Sequence, residues 1–466
     1  MKLWRNWWHW SRQLRPACAR NRTFLWLLVV LMAFCVREDL LGATSVIRCL
    51  GLQGFCYDRI LDFFHSPAMN LQTLTQIWTA LVVNSHPGLL RYNGRLVLVG
   101  DGIKVAKSGK KMPAVKRLHQ ESESNTKPKY IMGHSCQAIC ILAQGLQSIV
   151  AIPLVGRIHE GVVFSNRDKR TLLDKMIILL DSLLITEPFY FVADAYYASR
   201  KIIAPLLKVG NHLITRVRHN SVGYRPAPIP KIRKVGRPKK YGLKIKIWSL
   251  FNDQEAMETI DSPLYGEKDV KVRIRSVDLL WKPVGILVRF VAVDHPNRGK
   301  RLLMSTDLTL PAIEILRLYG FRFKIEIAFK NSLHVVGAFL YHFWLGCMKP
   351  LKRNSGDQYL HRQTEEYRDA IRRKIDAYHR FIQIGLIAQG IMQTIATTVP
   401  QLVWRSFGSW LRTIRPGLCP SELVVSTALR NTLPEFLADE TCAPALTKFL
   451  RERIDLSRIE GTRLVA

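Results

Sequence analysis

The chain has 466 residues, more than one ordinary domain needs, and 48% of them are apolar, which excludes wholesale disorder. Its 69 Lys and Arg outnumber 36 Asp and Glu, for a formal net charge of +33 at pH 7, so the expected partner is a polyanion. Nine cysteines with no Cys-x-x-Cys pair and no His cluster at finger spacing argue against a structural zinc and fit reduced thiols.

Residues 1 to about 90 read as helical. Thr23–Val36 follows a basic, Trp-rich start like a signal sequence, but no small-residue cleavage site comes after it. It is also shorter than the roughly 20 residues a bilayer requires, so a buried helix is favoured over a membrane or export segment. Thr44–Phe64 puts apolar residues on both sides of a turn holding Gly51 and Gly54. That is the layout of a helix-turn-helix, and equally of any small helical bundle.

From about 95 the period changes. Arg95–Gly100 reads as a strand covered on both faces and ending at Asp101. Ile131–Val155 holds two more strands around Gln144-Gly145-Leu146, and Asn166–Leu184 reads as a helix capped by Ser165 or Asn166. Phe189–Ala193 is a strand ending at Asp194; a helix near Ser199–Lys208 and a strand at His212–Val217 follow. Strands mixed with crossing helices predict an α/β sheet. Between about 220 and 305, three short strands (243–250, 270–277 and 285–293) follow a Pro-rich basic stretch and read as a β-rich insertion. The α/β pattern resumes through a helix holding Glu326, and from 346 onward the chain is helical and basic.

A carboxylate at the end of a buried strand costs free energy unless something compensates for it. Asp101 and Asp194 are two such groups, and with a helical glutamate they form the acid set that divalent-metal phosphoryl transfer requires. Each aspartate also has a plainer reading, Asp101-Gly102 as a turn and Asp194 as a helix cap. If the two strands are parallel neighbours, both carboxylates leave one sheet edge. Asp101 would then bridge two Mg²⁺ ions roughly 4 Å apart, with Asp194 and Glu326 holding one each, Mn²⁺ being the alternative ion. Glu160, Asp168 and Asp174 read as surface or capping acids, His159 and Glu160 also as groups lining the site, Glu314 as the fallback third acid, and His134 as a histidine satisfied by backbone. Lys104, Lys107, Lys110 and Lys111 are expected to track phosphates near the acids. The tract 231–246 holds eight Lys or Arg and no acid; its Gly236-Arg237-Pro238 resembles the minor-groove insert of AT-hook peptides, or is a solvated loop touching phosphates.

In Tyr319-Gly-Phe-Arg322-Phe-Lys-Ile-Glu326-Ile-Ala-Phe-Lys330 the spacing of three and four sets Tyr319, Arg322, Glu326 and Lys330 on one helical face. This segment resembles the third-acid signature of DDE transposases from bacterial insertion sequences, in the branch whose motif is Tyr-Arg-Glu-Lys. Val192-Ala-Asp194-Ala-Tyr-Tyr-Ala-Ser resembles the second-acid region of that family, and Ile214-Thr-Arg216-Val-Arg218-His-Asn220 resembles its basic strand exit.

The resemblance spans about 95 to 340. It implies an RNase H-like mixed sheet, interrupted by the insertion and flanked by helical regions. It implies metal-dependent cleavage of the element's ends and transfer of 3′-hydroxyls into target DNA, with Asp101, Asp194 and Glu326 as catalytic metal ligands. Tyr319, Arg322, Lys330, Arg216 and Arg218 are the expected DNA contacts, and Lys104 and Arg237 join them on charge. The expected division is an N-terminal DNA-binding region (1–90), a first core part (91–219), the insertion (220–305), the Glu326 part of the core (306–345) and a C-terminal helical region (346–466). Partners would be double-stranded DNA, as terminal inverted repeats and as target, and a second copy of the chain on that DNA. No membrane association is expected; the place is the nucleoid in a bacterial cytoplasm. One position departs from the pattern: the family's lysine, seven residues after the glutamate, is Leu333 here, with Lys330 or His334 as substitutes. A catalytically inactive, transposase-derived DNA-binding protein is the alternative, and a basic protein anchored in a membrane by Thr23–Val36 is another.

Overall fold

The structure is a computed structural model and describes residues 2–120, 128–229, 236–264, 266–408, 414–439 and 441–458. Five helices lead, α1 (Lys2–Ser11), α2 (Asn21–Val36), α3 (Thr44–Cys49), α4 (Cys56–His65) and α5 (Leu71–Ser85). Strands β1 (Arg91–Tyr92), β2 (Arg95–Ala106), β3 (Lys116–His119), β4 (Tyr130–Gly145), β5 (Ser148–Ile158) and β6 (Val162–Val163) precede α6 (Leu172–Asp181). Then come β7 (Phe189–Ala193), α7 (Arg200–Lys208) and β8 (His212–Arg216). The insertion supplies β9 (Val222–Pro226), β10 (Tyr241–Lys246), β11 (Glu258–Asp261), β12 (Lys271–Trp281), β13 (Ile286–His295) and β14 (Gly299–Ser305). The chain continues as α8 (Ala312–Gly320), α9 (Phe323–Asn331), β15 (Gln358–Tyr359), α10 (Glu365–Thr398), α11 (Pro400–Phe407), α12 (Glu422–Asn431), α13 (Leu433–Ala438) and α14 (Pro444–Arg451).

One long sheet runs β10-β9-β12-β13-β14-β8-β7-β2-β4-β3, with β5 paired to β4, β1 to β2 and β11 to β12. At its centre β5, β4 and β2 are antiparallel, while β2, β7 and β8 run parallel. A meander of three strands followed by two parallel ones is the RNase H-like core expected from the resemblance. The hairpin at Gln144–Leu146 also forms as expected, since Gln144 pairs with Ile149 across it.

Several boundaries differ from the sequence reading. β2 does not end at Asp101; it runs five residues further to Ala106, because β4 goes on supplying backbone partners from Ala138 back to Gly133. The apolar run stops earlier only because the strand's later residues alternate between core and solvent. The helix before β7 is capped at Thr171, with Asp174 closing a capping box, rather than at Ser165 or Asn166. The insertion is an extension of the core sheet, since β14 pairs with β8 from Leu303–Arg216 to Ser305–Ile214. The C-terminal helices begin only at Glu365; most of 338–364 is irregular.

Thr23–Val36 lies inside α2, where Leu27 to Phe34 are at most 1% exposed. The helix packs against α10, α12 and α14, so its apolar surface faces protein on every side. Among the described residues no single helix is long and apolar enough to cross a membrane. The bent pair α10 and α11 passes by length and composition only, and most of α10 beyond Ala377 is buried.

Helices from the two ends of the chain share one layer. The Trp4 indole donates to the Leu429 carbonyl (3.1 Å) and stacks on Phe436 with ring centroids 4.9 Å apart. Arg37, just past α2, is buried without a carboxylate on its guanidinium. It donates instead to the carbonyls of Val336, Gly337 and Gly42 and to Ser45 Oγ, which ties α2 to the turn after α9. The turn between α3 and α4 forms at Gly51–Phe55, and the outer face of α4 shows Tyr57, Asp58, Arg59 and Asp62. Two carboxylates on that face work against a polyanion.

Candidate active site

The β2–β7 register sets the first two acids side by side. Parallel pairing runs from Leu96–Phe189 to Val99–Val192, and each aspartate stands two residues beyond the last pair. β7 is buried along its whole length and stops where Asp194 turns to cap the short 3₁₀ segment Ala195–Tyr197, its Oδ1 accepting from Tyr196 N at 3.0 Å. The plain capping reading and the site reading therefore coexist at Asp194. Asp101, inside β2, accepts from Gly102 N at Oδ1 (2.8 Å) and from Arg322 Nη1 at Oδ2 (2.8 Å). It is not a turn residue.

Glu326 comes from a broken helix. The expected single segment through 319–330 divides at Phe321–Arg322, where the amides of Phe321, Arg322, Lys324 and Ile325 each bond three residues back. This tight turn separates α8 from α9 and leaves Arg322 at the junction. Its guanidinium spans two acids, Asp101 through Nη1 and Glu326 through Nη2. Tyr319 belongs to the same group; burial raises its phenol pKa, opposed by Arg322 and Arg216 and reinforced by Asp194.

Burial pushes the Asp101 pKa up to about 6, with Asp194 and Glu326 adding to the rise and Arg322 opposing it. Beneath the acids, Gln137 Nε2 donates to Tyr197 Oη (3.0 Å), and Gln137 Oε1 lies 2.5 Å from His159 Nδ1. Burial holds the His159 pKa down to about 3, so the imidazole is neutral and its Nδ1 is the donor to Gln137. Sequence reading offered His159 or Glu160 at the site only as the lesser alternative to a surface or capping role, and it did not single out Gln137 or Tyr197. Tyr197 was within the quoted second-acid motif; Gln137, alone on an apolar strand, gave no signal.

The remaining expected residues fall in different places. Arg216 and Arg218, at the exit of β8, are exposed. Lys104 is exposed but donates to the His119 carbonyl at 2.7 Å. Lys107 corrects the expectation of a phosphate-tracking row: it is 6% exposed and gives its ammonium to the carbonyls of Phe339 and Tyr341. Lys330 and His334 are exposed at and after the end of α9, whereas Leu333 packs against the core. Arg237 is exposed, and residues 230–235 of its tract lie outside the described residues. Glu160 pairs with Lys116 (3.4 Å), and Asp168 with Arg170. Both line a cavity of about 840 Å³ with His159, Lys175 and His379, to which none of the three acids contributes. Glu314 is buried against Arg317 on α8. His134 is wholly buried, between Tyr341 Oη (2.6 Å) and the Pro113 carbonyl (2.8 Å).

The donor chemistry suits a hard divalent cation, because the groups facing Asp101 are carboxylates, and Asp194 and Glu326 both raise its proton affinity. Among the described residues, however, no three His, Cys, Asp or Glu groups converge closely enough to hold a metal. Arg322 stands between two of the acids.

A sheet in which two adjacent parallel strands present aspartates side by side, one within β2 and one just past β7, with a helical glutamate bridged to the first by an arginine, defines an RNase H-like protein with an acidic site. The family profile described as DDE superfamily endonuclease matches residues 19–277, more than half of the chain, and the chain belongs to that family. The matched span contains Asp101 and Asp194, while Glu326 lies beyond it. None of the curated proteins matches the chain in sequence. Among solved structures, the piggyBac transposase synaptic complex with hairpin DNA is similar at 12% identity over 93% of this chain and 75% of that one. Its TM-score is 0.37, too loose a superposition to equate the two folds.

Proposed function

We propose that the chain is the DNA transposase of a bacterial insertion sequence, cutting the ends of its element and joining their 3′-hydroxyls to target DNA. The observation that carries this reading is the parallel β2–β7 register, which sets Asp101 and Asp194 side by side, with Glu326 joined to Asp101 through Arg322. Family membership supports a DNA-cleaving enzyme.

Asp101, Asp194 and Glu326 would hold Mg²⁺, two ions being the expected number and Mn²⁺ the alternative. When bound, such ions acidify the attacking hydroxyl and stabilise the leaving oxygen. The chain's own groups do the positioning. Tyr196 N orients the Asp194 carboxylate. The Tyr197–Gln137–His159 chain, fixed in one tautomer, forms a rigid floor under the acids. Arg216, Arg218 and Lys330, exposed around the site, supply cations for the DNA backbone, with Tyr319 and Arg322 at the scissile end. Arg237 and Lys104 extend that positive surface, Lys104 once it leaves the His119 carbonyl. Residues 1–90 are read as contributing to DNA binding, and a homodimer on DNA supplies two sites for two ends, within the bacterial nucleoid.

A catalytically inactive, transposase-derived DNA-binding protein is the second reading, favoured by Leu333 where the family has lysine. Cleavage of a duplex carrying the inverted repeats that flank the gene, with Mg²⁺, separates the two. Wild type should nick the duplex and Asp194→Asn should not. Equal products from both would overturn the enzyme assignment, and binding without nicking by either would favour the second reading.

A further inference from the structure

Asp101, Asp194 and Glu326 form a concentrated negative site, and Arg322 is the cation found there. Its guanidinium reaches Asp101 Oδ2 at 2.8 Å with one nitrogen and Glu326 Oε1 with the other. The Arg322 and Asp101 side chains are 18% and 20% exposed, so that pairing is shielded from bulk water and from salt, whereas Glu326 meets the arginine from the solvent side at 56%. Each terminal nitrogen thus serves a different carboxylate, so the guanidinium bridges the two acids through one charge-assisted hydrogen bond apiece.

We infer that Arg322 is the resident counter-cation of the metal-free site and competes with divalent metal for the same oxygens of Asp101 and Glu326. The inference rests on the reading of those acids as metal ligands. A carboxylate oxygen whose outward lone pair accepts an N–H at hydrogen-bond distance cannot offer that lone pair to a metal at about 2.1–2.6 Å. A guanidinium left in place would also face a doubly charged ion across one carboxylate. Loading the site therefore requires Arg322 to swing away. The local backbone suits that movement: Arg322 sits at the α8–α9 junction rather than inside a helix, and Glu326 is in the first turn of α9. Releasing Glu326 from the arginine frees it to turn toward Asp101 and Asp194, the convergence that this structure lacks. Arg322 thus positions Glu326 when metal is absent and opposes metal entry until it leaves.

The test uses the full-length protein and Mn²⁺ as the probe, with bound ion followed by electron paramagnetic resonance. Arg322→Gln should bind Mn²⁺ more tightly than wild type, by roughly tenfold, the usual size of such a coupling. Asp194→Asn should bind more weakly than wild type. A binding wild type with an equal or weaker Arg322→Gln overturns the competition. No binding by wild type, Arg322→Gln or Asp194→Asn overturns the metal reading itself, and the inference with it. A second measurement needs no variant: the ¹⁵Nε–¹Hε resonance of Arg322 in wild type, titrated with Mg²⁺. The resonance should shift along the binding curve; metal binding that leaves it unmoved also overturns the inference.

Discussion

Thr215 Oγ1 donates to the main-chain carbonyl of Asp194 at 2.7 Å, tying the turn after β7 to its neighbour β8. Thr215 is fully buried, so no solvent replaces that bond. Thr215→Val keeps the shape and removes the hydroxyl, so the Asp194 carbonyl keeps only the Tyr197 amide at 3.1 Å, a loss of about 0.5–1.5 kcal/mol. Urea unfolding should show the loss, and cleavage should fall with it, whereas Thr215→Ser should keep most of both. A valine variant as stable and active as wild type would show that the bond does not hold the acid in place.

Gly100 precedes Asp101 and leaves room for the ring of Phe191 on β7. A Cβ there would lie 2.4 Å from Phe191 Cζ and 2.5 Å from its Cε2, in a core where Phe191 is fully buried. Gly100→Ala is expected to lose about 1–3 kcal/mol through overpacking. Adding Phe191→Leu should recover part of the loss. Thermal melting of the single and double variants checks this, and additive losses would count against the contact.

Asp101 sets a pH dependence. Its pKa stands at about 6 in the folded chain against an ordinary 3.8, chiefly through burial. The fold thus favours the neutral acid, so the contribution to stability is full below the ordinary value and is lost as pH rises through about 6. Cleavage needs the carboxylate and should rise across the same window. Asp101→Asn should flatten the stability profile between pH 4 and 6; an unchanged slope in urea melts at those pH values would argue against this assignment.

His134 titrates in the opposite sense. Burial lowers its pKa to about 3 from 6.5, with Lys107 adding to the fall. The neutral ring donates from Nε2 to Pro113 and accepts from Tyr341 at Nδ1, an arrangement with no room for a second ring proton. Its contribution is present above 6.5 and is lost as pH falls toward 3. His134→Gln should be less stable than wild type at pH 7 and should lose less on acidification. Parallel acid-unfolding curves would contradict this.

How far the sequence spoke for the structure depended on how local each signal was. The Asp194 strand was legible because five buried residues are bounded by a capping turn, and both ends are written in neighbouring residues. The extent of β2 was not, because what prolongs it past Asp101 is pairing with β4, from Gly102–Gln137 to Ala106–Gly133, well outside any local window. The insertion read as separate for the same reason: texture shows strands, but only the β14–β8 pairing shows that they continue one sheet. Spacing along an ideal helix grouped Tyr319, Arg322 and Glu326, and the break at Phe321–Arg322 left their proximity intact while changing the route to it. Gln137 was invisible, since its role is defined by Tyr197 and His159 on other segments.

The contact of Trp4 with Leu429 and Phe436 has a consequence for the order in which the protein is made. Trp4 and the Leu429 carbonyl that it meets stand 425 residues apart, so this seat exists only once α12 and α13 have been translated. Domains usually close as they emerge, but here a half-finished chain has Trp78 for Trp10 and lacks the partners of Trp4. Nascent chains are therefore the form most in need of chaperones, and a prematurely stopped product is marked for proteolysis by the same helix. Translation through α12 and α13 becomes the checkpoint that separates an adhesive fragment from a folded protein.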